Sequence, residues 1–301
     1  MIARNKATNR EEHIINKLLE KNFIQAKDEL ARFSEMLEII RGIIKEDIKS
    51  IEVTKEKTVI HLADGRMYNL NPDRMDIIVY LLKAGTIEPD ETAFIGRFLK
   101  PGDIVFDIGA NAGWFSILFS QLVGSQGEVH AFEPLPDAVH SLMENMELNK
   151  CFNMYIHPFA VSKENGKGNI FIPANQLSTQ SSLSFDSIVG KGMKMPCDII
   201  SLDTFVKERR FTKIDFIKID AEGFEIEVLK GSTTLLETFK PVLMVECLTE
   251  QAFLQLKELL EPKGYRFYVL KDTLLEENIY ISTDKETNVF CITPTQAASL
   301  M

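Results

Sequence analysis

Cysteines and long apolar runs are scarce in this sequence. The four cysteines, Cys151, Cys197, Cys247 and Cys291, are scattered and form no C-x-x-C pair. Disulfide frameworks and zinc sites need paired or clustered thiols, so this spacing favours reduced thiols in a cytoplasmic protein. No apolar run approaches the length that spans a membrane, and the N-terminus lacks the apolar segment of a signal peptide. We therefore expect no membrane span.

The sequence also lacks an excess of basic residues. Its 301 residues include 34 Lys and Arg against 44 Asp and Glu, which gives a formal net charge of -10. A general nucleic-acid binder needs a basic face to neutralise phosphates, so we expect no nucleic-acid partner. The motifs G-x-S-x-G, H-E-x-x-H and G-x-x-x-x-G-K-S/T are absent, which leaves hydrolase and P-loop functions without support.

The most informative stretch that is present reads IVFDIGANAG, from Ile104 to Gly113. Strand-forming residues lead to Asp107 and then to a turn with glycines at 109 and 113, and residues 114–123 have helical spacing. A buried strand, a glycine turn and a helix are the elements that a doubly wound α/β sheet uses to bind a nucleotide-like ligand. Gly109 can adopt a positive φ and let the main chain approach that ligand.

Two acids in this region favour one ligand class. The turn reads D-x-G-x-N-x-G, with Asn111 where a dinucleotide-binding turn has its second glycine. Asp107 would repel a phosphate but suits an ammonium, such as the methionine end of S-adenosylmethionine (SAM). Glu133 ends the next predicted strand, where such sheets place a carboxylate for the ribose hydroxyls. Together these residues favour SAM over NAD.

Three motifs carry a family resemblance. DIGANAG at 107–113, HAFEPLP at 130–136 and DFIKIDAEGFEIEVLKG at 215–231 resemble the FkbM-type family of SAM-dependent methyltransferases. The resemblance covers about residues 91–246 and implies a class I, Rossmann-like methyltransferase fold with a doubly wound, mostly parallel sheet. It also implies O-methylation of a hydroxyl on a sugar, glycan or secondary metabolite. The residues expected to bind the cofactor are Asp107, Gly109, Ala110, Asn111, Gly113, Glu133 and Asp220.

The part before the motifs predicts an extension in two segments. Apolar residues in 10–48 recur every three or four positions, which predicts helix within a helical extension over 1–55. This helix could pair with a second copy as a coiled coil or pack on the chain's own core. Residues 56–90 predict a cap, with a hairpin at 58–70 around Asp64-Gly65 and a helix from Asn71-Pro72 to about 83.

The methyltransferase domain is predicted over 91–301, where strand and helix patterns alternate. Such alternation specifies a mostly parallel sheet covered on both faces, with the ligand at the carboxyl ends of the strands. The predicted strands are 104–108, 128–132, 154–161, 194–201, 214–219 and 241–247, with an antiparallel pair at 265–270 and 288–293. The predicted helices are 88–99, 114–123, 136–148, 222–236 and 250–260, with a helical turn at 203–208, a hairpin at 166–173 and a polar loop at 175–184.

The acids after the fourth sheet strand are the candidate catalytic residues. Methyl transfer is an in-line displacement in which a base helps a hydroxyl acceptor lose its proton. We assign Asp220 as a cofactor-side or acceptor-side carboxylate and Glu222 as an acid or base. Alternatively, Glu222 caps the following helix. Lys218 is either a buried ion-pair partner or a substrate contact. No N-P-P-Y turn occupies this position, which favours a hydroxyl acceptor.

Several alternative interpretations of the sequence stay open. Asp220, Glu222 and Glu246 could converge on Mg²⁺ or Ca²⁺, although carboxylates at strand ends more commonly anchor loops, and we predict no metal. His140 and His157 are interpreted as surface or structural residues, and Trp114 as a core residue. The rival functions are methylation of another acceptor, such as nitrogen or RNA, and a non-catalytic SAM-binding module that dimerises through residues 10–48.

Overall fold

The computed structural model describes residues 47–55, 57–70, 88–173, 182–183, 192–271, 274–277 and 287–300. The predicted helix at 72–83 and nearly all of the helix at 10–48 lie outside these ranges, so both stay predictions. Within the described ranges, no helix is long and apolar enough to cross a membrane. The four cysteines are free thiols, as the sequence spacing predicted.

The described strands form three sheets. In chain order the strands are β1 (Ile48–Val53), β2 (Thr58–Leu62), β3 (Met67–Leu70), β4 (Ile104–Ile108), β5 (Glu128–Phe132), β6 (Met154–His157), β7 (Ala160–Val161), β8 (Gly166–Pro173), β9 (Ser182–Leu183), β10 (Gly192–Ile200), β11 (Phe216–Ile219), β12 (Val242–Cys247), β13 (Arg266–Lys271), β14 (Leu274–Glu277) and β15 (Thr287–Ile292). The described helices are α1 (Pro89–Phe98), α2 (Trp114–Val123), α3 (Pro136–Asn149), α4 (Leu202–Arg209), α5 (Glu225–Lys230), α6 (Thr233–Phe239), α7 (Glu250–Leu260) and α8 (Pro294–Leu300).

The central sheet has eight strands in the order β14-β13-β15-β12-β11-β4-β5-β6. The neighbours β12, β11, β4, β5 and β6 are parallel, whereas β15 is antiparallel to β12 and to β13. The order reverses between β4 and β11, which makes the carboxyl ends of these two strands the switch point where such sheets bind ligands. The predicted doubly wound α/β fold and its antiparallel C-terminal pair are confirmed, and β14 adds an edge strand that the sequence did not predict.

Alternate residues of each central strand enter different cores. In β12, for example, Val242 and Met244 belong to one apolar cluster, and Leu243 and Val245 belong to the other. Successive side chains of a strand point to opposite faces, so the two clusters cover opposite faces of the sheet. The first contains α1, α2 and the N-terminal strands, and the second contains α4 to α7. Apolar residues on both faces explain why the central strands read as continuous hydrophobic runs.

The N-terminal sheet consists of β1, β2 and β3, all antiparallel. The predicted hairpin at 58–70 is confirmed, because β2 and β3 flank the turn at Gly65, whose φ is 92°. Residue Ile48 was assigned to the end of the long helix, and this was wrong: it opens β1, which pairs with β2. The spacing of three from Ile48 to Ile51 fits a helix, and the strand instead accommodates it through a register shift between Ile48 and Ser50.

A second sheet, in the order β7-β10-β8-β9, follows β6. The predicted hairpin at 166–173 was wrong, because Gly166–Pro173 is one strand that pairs along its length with β10. The predicted strand at 154–161 is two strands in different sheets, since the chain bends at His157-Pro158 between β6 and β7. The predicted polar loop at 175–184 lies outside the described residues except for Ser182 and Leu183, which form β9. This sheet packs on the start of α3 through Leu135 and Ala138.

The helix predicted at 222–236 was also wrong as a single element. It is two helices, α5 and α6, separated at Gly231 and Ser232. A Cβ on Gly231 would lie 2.3 Å from the carbonyl oxygen of Ser162, so only glycine permits this contact with the second sheet. Gly231 occupies the C-cap position of α5 and Ser232 the N-cap position of α6, residue types that are common at these two positions.

Candidate active site

Asp107 lies at the centre of the predicted cofactor site, on β4. Its side chain is 1% exposed, and its Oδ2 accepts a hydrogen bond of 2.5 Å from the Ser116 hydroxyl. Its Oδ1 is buried and has no hydrogen-bond partner in the described part of the chain. Burial raises the pKa of this carboxyl, and Lys218 and Ser116 oppose the rise. An unpartnered buried carboxylate oxygen is costly unless a donor from a ligand reaches it.

The glycine turn after β4 is tied to the end of β5. The N–H groups of Gly109 and Ala110 both donate to the Phe132 carbonyl, at 2.9 and 3.0 Å. A Cβ on Gly109, where φ is 78°, would lie 1.8 Å from the carbonyl oxygen of Asp220. This contact is a structural reason for glycine at 109, and the close approach of the turn to a ligand stays a prediction. Gly109 permits two strand-end loops of the protein to approach each other, and Gly113 likewise avoids Leu142, 2.4 Å from its hypothetical Cβ.

Glu133 lies at the end of β5, beside the same turn. Its Oε2 accepts the N–H of Asn111 and its Oε1 accepts the N–H of Leu135, both at 2.9 Å. The side chain is almost entirely buried, and this burial raises the pKa of Glu133 to about 7 against the effect of the two N–H groups. Each carboxylate oxygen can accept a further hydrogen bond, so the group retains capacity for hydroxyls.

Lys218 is the cation of the site. It lies on β11 in register with Asp107 on β4, and its Nζ lies 2.9 Å from Asp220 Oδ2 and 3.9 Å from Asp107 Oδ1. Burial alone lowers the pKa of Lys218, but the negative charges of Asp220, Asp107 and Glu88 outweigh burial and raise it. Of the two roles left open by the sequence, the structure supports the buried ion pair. The sequence feature that indicates this ion pair is a lysine within an otherwise apolar strand.

Two residues that sequence reasoning missed extend this site. Glu88 precedes α1, and its Oε2 accepts a 2.7 Å hydrogen bond from Asn288 Nδ2 on β15. Burial raises the pKa of Glu88 to about 7, with Lys218 opposing and Glu91 and Asp220 reinforcing the rise. Glu88 and Asn288 are 200 positions apart, so no local pattern links them. Lys218 therefore interacts with carboxylates from three separate parts of the chain.

The turn after β11 contains the predicted catalytic pair. Glu222 follows the ion-paired Asp220 and adopts a left-handed conformation, with a φ of 51°. Helix α5 begins only at Glu225, and its N-cap position is Phe224, so Glu222 is not the N-cap residue. The carboxylate that organises the turn is Glu225, whose Oε1 accepts the N–H groups of Ala221 and Gly223 at 2.9 and 3.0 Å.

Glu246 lies at the end of β12, opposite Asn288 on β15. Its Oε2 is buried without a hydrogen-bond partner among the described residues. Burial and the negative charges of Asp220, Glu225 and Glu222 raise the pKa of Glu246 to about 9. A carboxyl group with this pKa is protonated at neutral pH and can donate a hydrogen bond.

The metal alternative finds no support. Among the residues that the structure describes, no three His, Cys, Asp or Glu side chains are grouped so that they could hold a metal ion. The two histidines lie where the sequence placed them. His157 is buried against His130, and His140 is 75% exposed and lies 3.5 Å from Glu144. Trp114 is a core residue, as predicted.

Comparison with known proteins identifies two similar curated methyltransferases. The chain is 27% identical over 161 residues to the 31-O-demethyl-FK506 methyltransferase FkbM of Streptomyces tacrolimicus, covering 45% of this chain and 62% of the relative. It is 28% identical over 165 residues to the hexuronic acid methyltransferase AglP of Haloferax volcanii, covering 52% and 61%. The chain thus spans about three fifths of the length of these curated relatives.

A crystal structure of a methyltransferase FkbM from Methylobacillus flagellatus KT aligns with a TM-score of 0.43 and 15% identity, covering 71% of this chain and 52% of that one. The family model described as the methyltransferase FkbM domain matches residues 107–267, which contain Asp107, Glu133, Lys218, Asp220 and Glu246. Because this segment is more than half of the chain, the protein belongs to the FkbM methyltransferase domain family.

Proposed function

We propose that this protein transfers a methyl group from SAM to a hydroxyl of a sugar, glycan or secondary metabolite. The observation that carries the proposal is the convergence of Asp107, Glu133 and Asp220 at neighbouring strand ends, beside the switch point. The family match supports methyl transfer. The name of one relative, a 31-O-demethyl-FK506 methyltransferase, supports an oxygen acceptor, and the name of another, a hexuronic acid methyltransferase, supports a sugar-derived substrate.

The residues of the site fit SAM in charge and in hydrogen bonding. The buried Oδ1 of Asp107 has no hydrogen-bond partner among the described residues and lies 3.9 Å from Lys218 Nζ, so it can still accept a hydrogen bond from a cationic donor such as the ammonium of the methionine end. Glu133 retains acceptor capacity beside the glycine turn, which suits two ribose hydroxyls. SAM supplies an electrophilic methyl group on its sulfonium when bound. Gly109, Ala110, Asn111 and Gly113 form the turn that would contact it.

Three side chains are proposed to act on the acceptor side. The Lys218 ammonium holds Asp220 in place, so Asp220 contributes a fixed negative charge near the transferred group. Glu222 is proposed to accept the proton that the acceptor hydroxyl loses. Glu246, which the sequence suggested only as a metal ligand, is proposed to donate a hydrogen bond to the acceptor from its protonated carboxyl.

A methyl-transfer assay tests the proposal. Purified protein is incubated with isotope-labelled SAM and a panel of sugars, uronic acids and polyhydroxylated metabolites, and labelled products are identified by mass spectrometry. With an accepted substrate, we expect Glu222→Gln to lower kcat by about 100-fold or more, in the range typical of a general base, with little change in SAM affinity. Glu227→Gln is the matched control, because Glu227 lies on α5 and pairs with Lys230.

Two results would contradict the assignment. Equal kcat for wild type and Glu222→Gln would remove Glu222 from proton transfer and leave the transferase proposal intact. Labelled product on an amine but not on any hydroxyl in a matched panel would refute the O-methylation proposal.

A further inference from the structure

One helix residue connects the glycine turn to the N-terminal sheet. Asn145 lies on α3 with 1% of its surface exposed. Its Nδ2 donates to the Ala112 carbonyl at 2.8 Å, and its Oδ1 accepts the N–H of Asn69 on β3 at 2.7 Å. Ala112 lies between Asn111 and Gly113, inside the turn proposed to contact SAM. A single amide therefore bridges this turn and a strand that lies outside the segment shared with the family.

The other end of the turn is held by the same strand. The Tyr68 ring stacks on Trp114, with centroids 4.1 Å apart and planes 19° apart, and its hydroxyl donates to the Trp114 carbonyl at 3.0 Å. Arg66, which is 1% exposed, donates to the Tyr68 hydroxyl at 3.4 Å, and its guanidinium lies 5.3 Å from the Trp114 ring centroid. Asp64 pairs with Arg66 at 2.8 Å.

The turn needs such external support. Asn111 and Gly113 both have positive φ, at 49° and 88°, and a non-glycine residue in this region is strained. Within the turn, the Gly113 N–H bonds to Ala110, and the Asn111 N–H bonds outward to Glu133. Strained backbone persists only where its surroundings hold it. The bond from Asn145 to Ala112 fixes the carbonyl between the two left-handed residues.

We infer that Asn145 is a positioning residue for the cofactor turn and that strand β3 is part of the cofactor-binding machinery. The inference rests on the proposed function in that it takes the turn at 109–113 to contact SAM. Asn145 orients Ala112 so that the Asn111 N–H stays directed at Glu133. Tyr68 holds the main chain at Trp114, where α2 begins. The sheet that precedes the methyltransferase domain thereby sets the geometry of the turn.

The chain offers a matched control one helical turn away. Asn149 also bonds to β3, with its Oδ1 accepting the Met67 N–H at 2.9 Å and its Nδ2 donating to the Met67 carbonyl at 2.6 Å. Its Nδ2 also donates to the backbone of Asn145, and none of its hydrogen bonds reaches the turn. Asn149 therefore holds β3 against α3 without a hydrogen bond to the cofactor turn. A comparison of variants at Asn145 and Asn149 therefore separates loss of the contact with β3 from loss of the positioning of the turn.

The experiment compares Asn145→Asp with Asn149→Asp. Each change keeps the oxygen that accepts a β3 N–H and replaces the amide donor with a second oxygen. Both variants replace an amide with a carboxyl group. We measure hydrogen exchange of the amides at 109–113 in the ligand-free protein, and SAM affinity by calorimetry. For Asn145→Asp we expect exchange at Asn111 about tenfold faster and SAM binding about tenfold weaker than for Asn149→Asp, the effect of one lost buried hydrogen bond.

Tyr68→Phe provides a second test if Asn145→Asp does not fold. It removes the hydroxyl bonded to Trp114 and keeps the stacked ring, and the same faster exchange is expected. The inference would be overturned if Asn145→Asp and Tyr68→Phe showed the same amide exchange at 109–113 and the same SAM affinity as Asn149→Asp. If the wild type binds no SAM but the exchange difference is present, the positioning role stands and the proposed function fails. The two proposals therefore fail separately.

Discussion

Single residues set both the shape and the charge of this site. The sequence predicted Asp107, Glu133 and Asp220 because each ends or nearly ends a strand within a recognisable motif. It did not predict the partners of Lys218, because a lysine within an apolar strand can face either side of the sheet. Glu88 was missed for a different reason: it reaches the site through Asn288, 200 positions away, and the sequence carries no sign of that contact.

The steric need for glycine at position 109 can be measured by comparing the stability of Gly109 and Gly102 variants. Gly109 and Gly102 both have positive φ, at 78° and 92°, but only Gly109 lacks room for a Cβ. We expect Gly102→Ala to lower the free energy of unfolding by about 1 kcal/mol, from backbone strain alone. Gly109→Ala should cost about 3 kcal/mol or more, because the Asp220 carbonyl must move as well. Chemical denaturation of both variants checks the difference, and equal losses would contradict the model of two loops in contact.

The raised pKa of Glu133 predicts how SAM affinity varies with pH. Burial raises this pKa to about 7, so below that pH the ligand-free protein carries a protonated Glu133. A carboxylate accepts ribose hydroxyls better than a carboxylic acid, so binding favours loss of the proton. SAM affinity should therefore rise between pH 6 and 7.5, and Glu133→Gln should bind more weakly with a flatter pH profile. Calorimetry across this range tests the expectation, and identical pH profiles for the two proteins would refute it.

At the scale of elements, the sequence predicted what local patterning determines. The strands at 104–108 and 128–132 and the helix at 250–260 were correct because apolar runs and caps define them, as with Thr249, whose hydroxyl accepts the Ala252 N–H before α7. The break between α5 and α6 was missed because the apolar spacing continues past Gly231 and Ser232, the C-cap and N-cap residues of the two helices. The single strand at 166–173 was missed because its partner, β10, lies well beyond it in the chain.

The neighbouring strands β5 and β6 carry a buried histidine pair with a predictable pH effect. His130 Nδ1 lies 3.0 Å from His157 Nε2, and burial together with His130 and Arg209 lowers the pKa of His157 to about 3. In the unfolded chain this pKa is about 6.5, so between pH 6.5 and 3 only the unfolded state binds the proton. The stability contributed by neutral His157 is complete above pH 6.5 and is lost as pH falls through this window.

The effect should appear as a pH-dependent difference in the free energy of unfolding between wild type and His157→Gln. The variant loses stability at pH 7, where His157 packs as a neutral ring, and this deficit relative to wild type should shrink as pH falls towards 4. His140→Gln serves as the control, because His140 is 75% exposed on α3. Denaturant unfolding at several pH values provides the measurement. A deficit that stays constant with pH would show that His157 does not carry the linkage.

At the scale of the whole molecule, the N-terminal sheet and the central sheet share one hydrophobic core. Ile60 and Tyr68 of the first belong to the same apolar cluster as Val105 and Phe216 of the second. The sequence predicted a separate cap at 56–90, and that division stays a prediction. The shared core leads us to expect that these parts unfold together.

The single tryptophan makes this expectation measurable. Trp114 is the only tryptophan of the chain and stacks on Tyr68 where the N-terminal sheet meets α2. Its fluorescence therefore reports on the contact between the two sheets, whereas far-UV circular dichroism reports on all secondary structure. We expect the thermal transitions from both probes to coincide. An earlier fluorescence transition would mean that the N-terminal sheet detaches before the central sheet unfolds.

The central claim is that the turn and acids around Asp107 form a SAM site. Calorimetric titration of the purified protein with SAM and, separately, with NAD at near-neutral pH tests it most directly. We predict binding of SAM with a Kd on the order of 1 μM, equivalent to about -8 kcal/mol, and no heat from NAD. Binding of NAD without SAM would contradict the cofactor assignment. Failure of both would mean that the turn serves the fold alone.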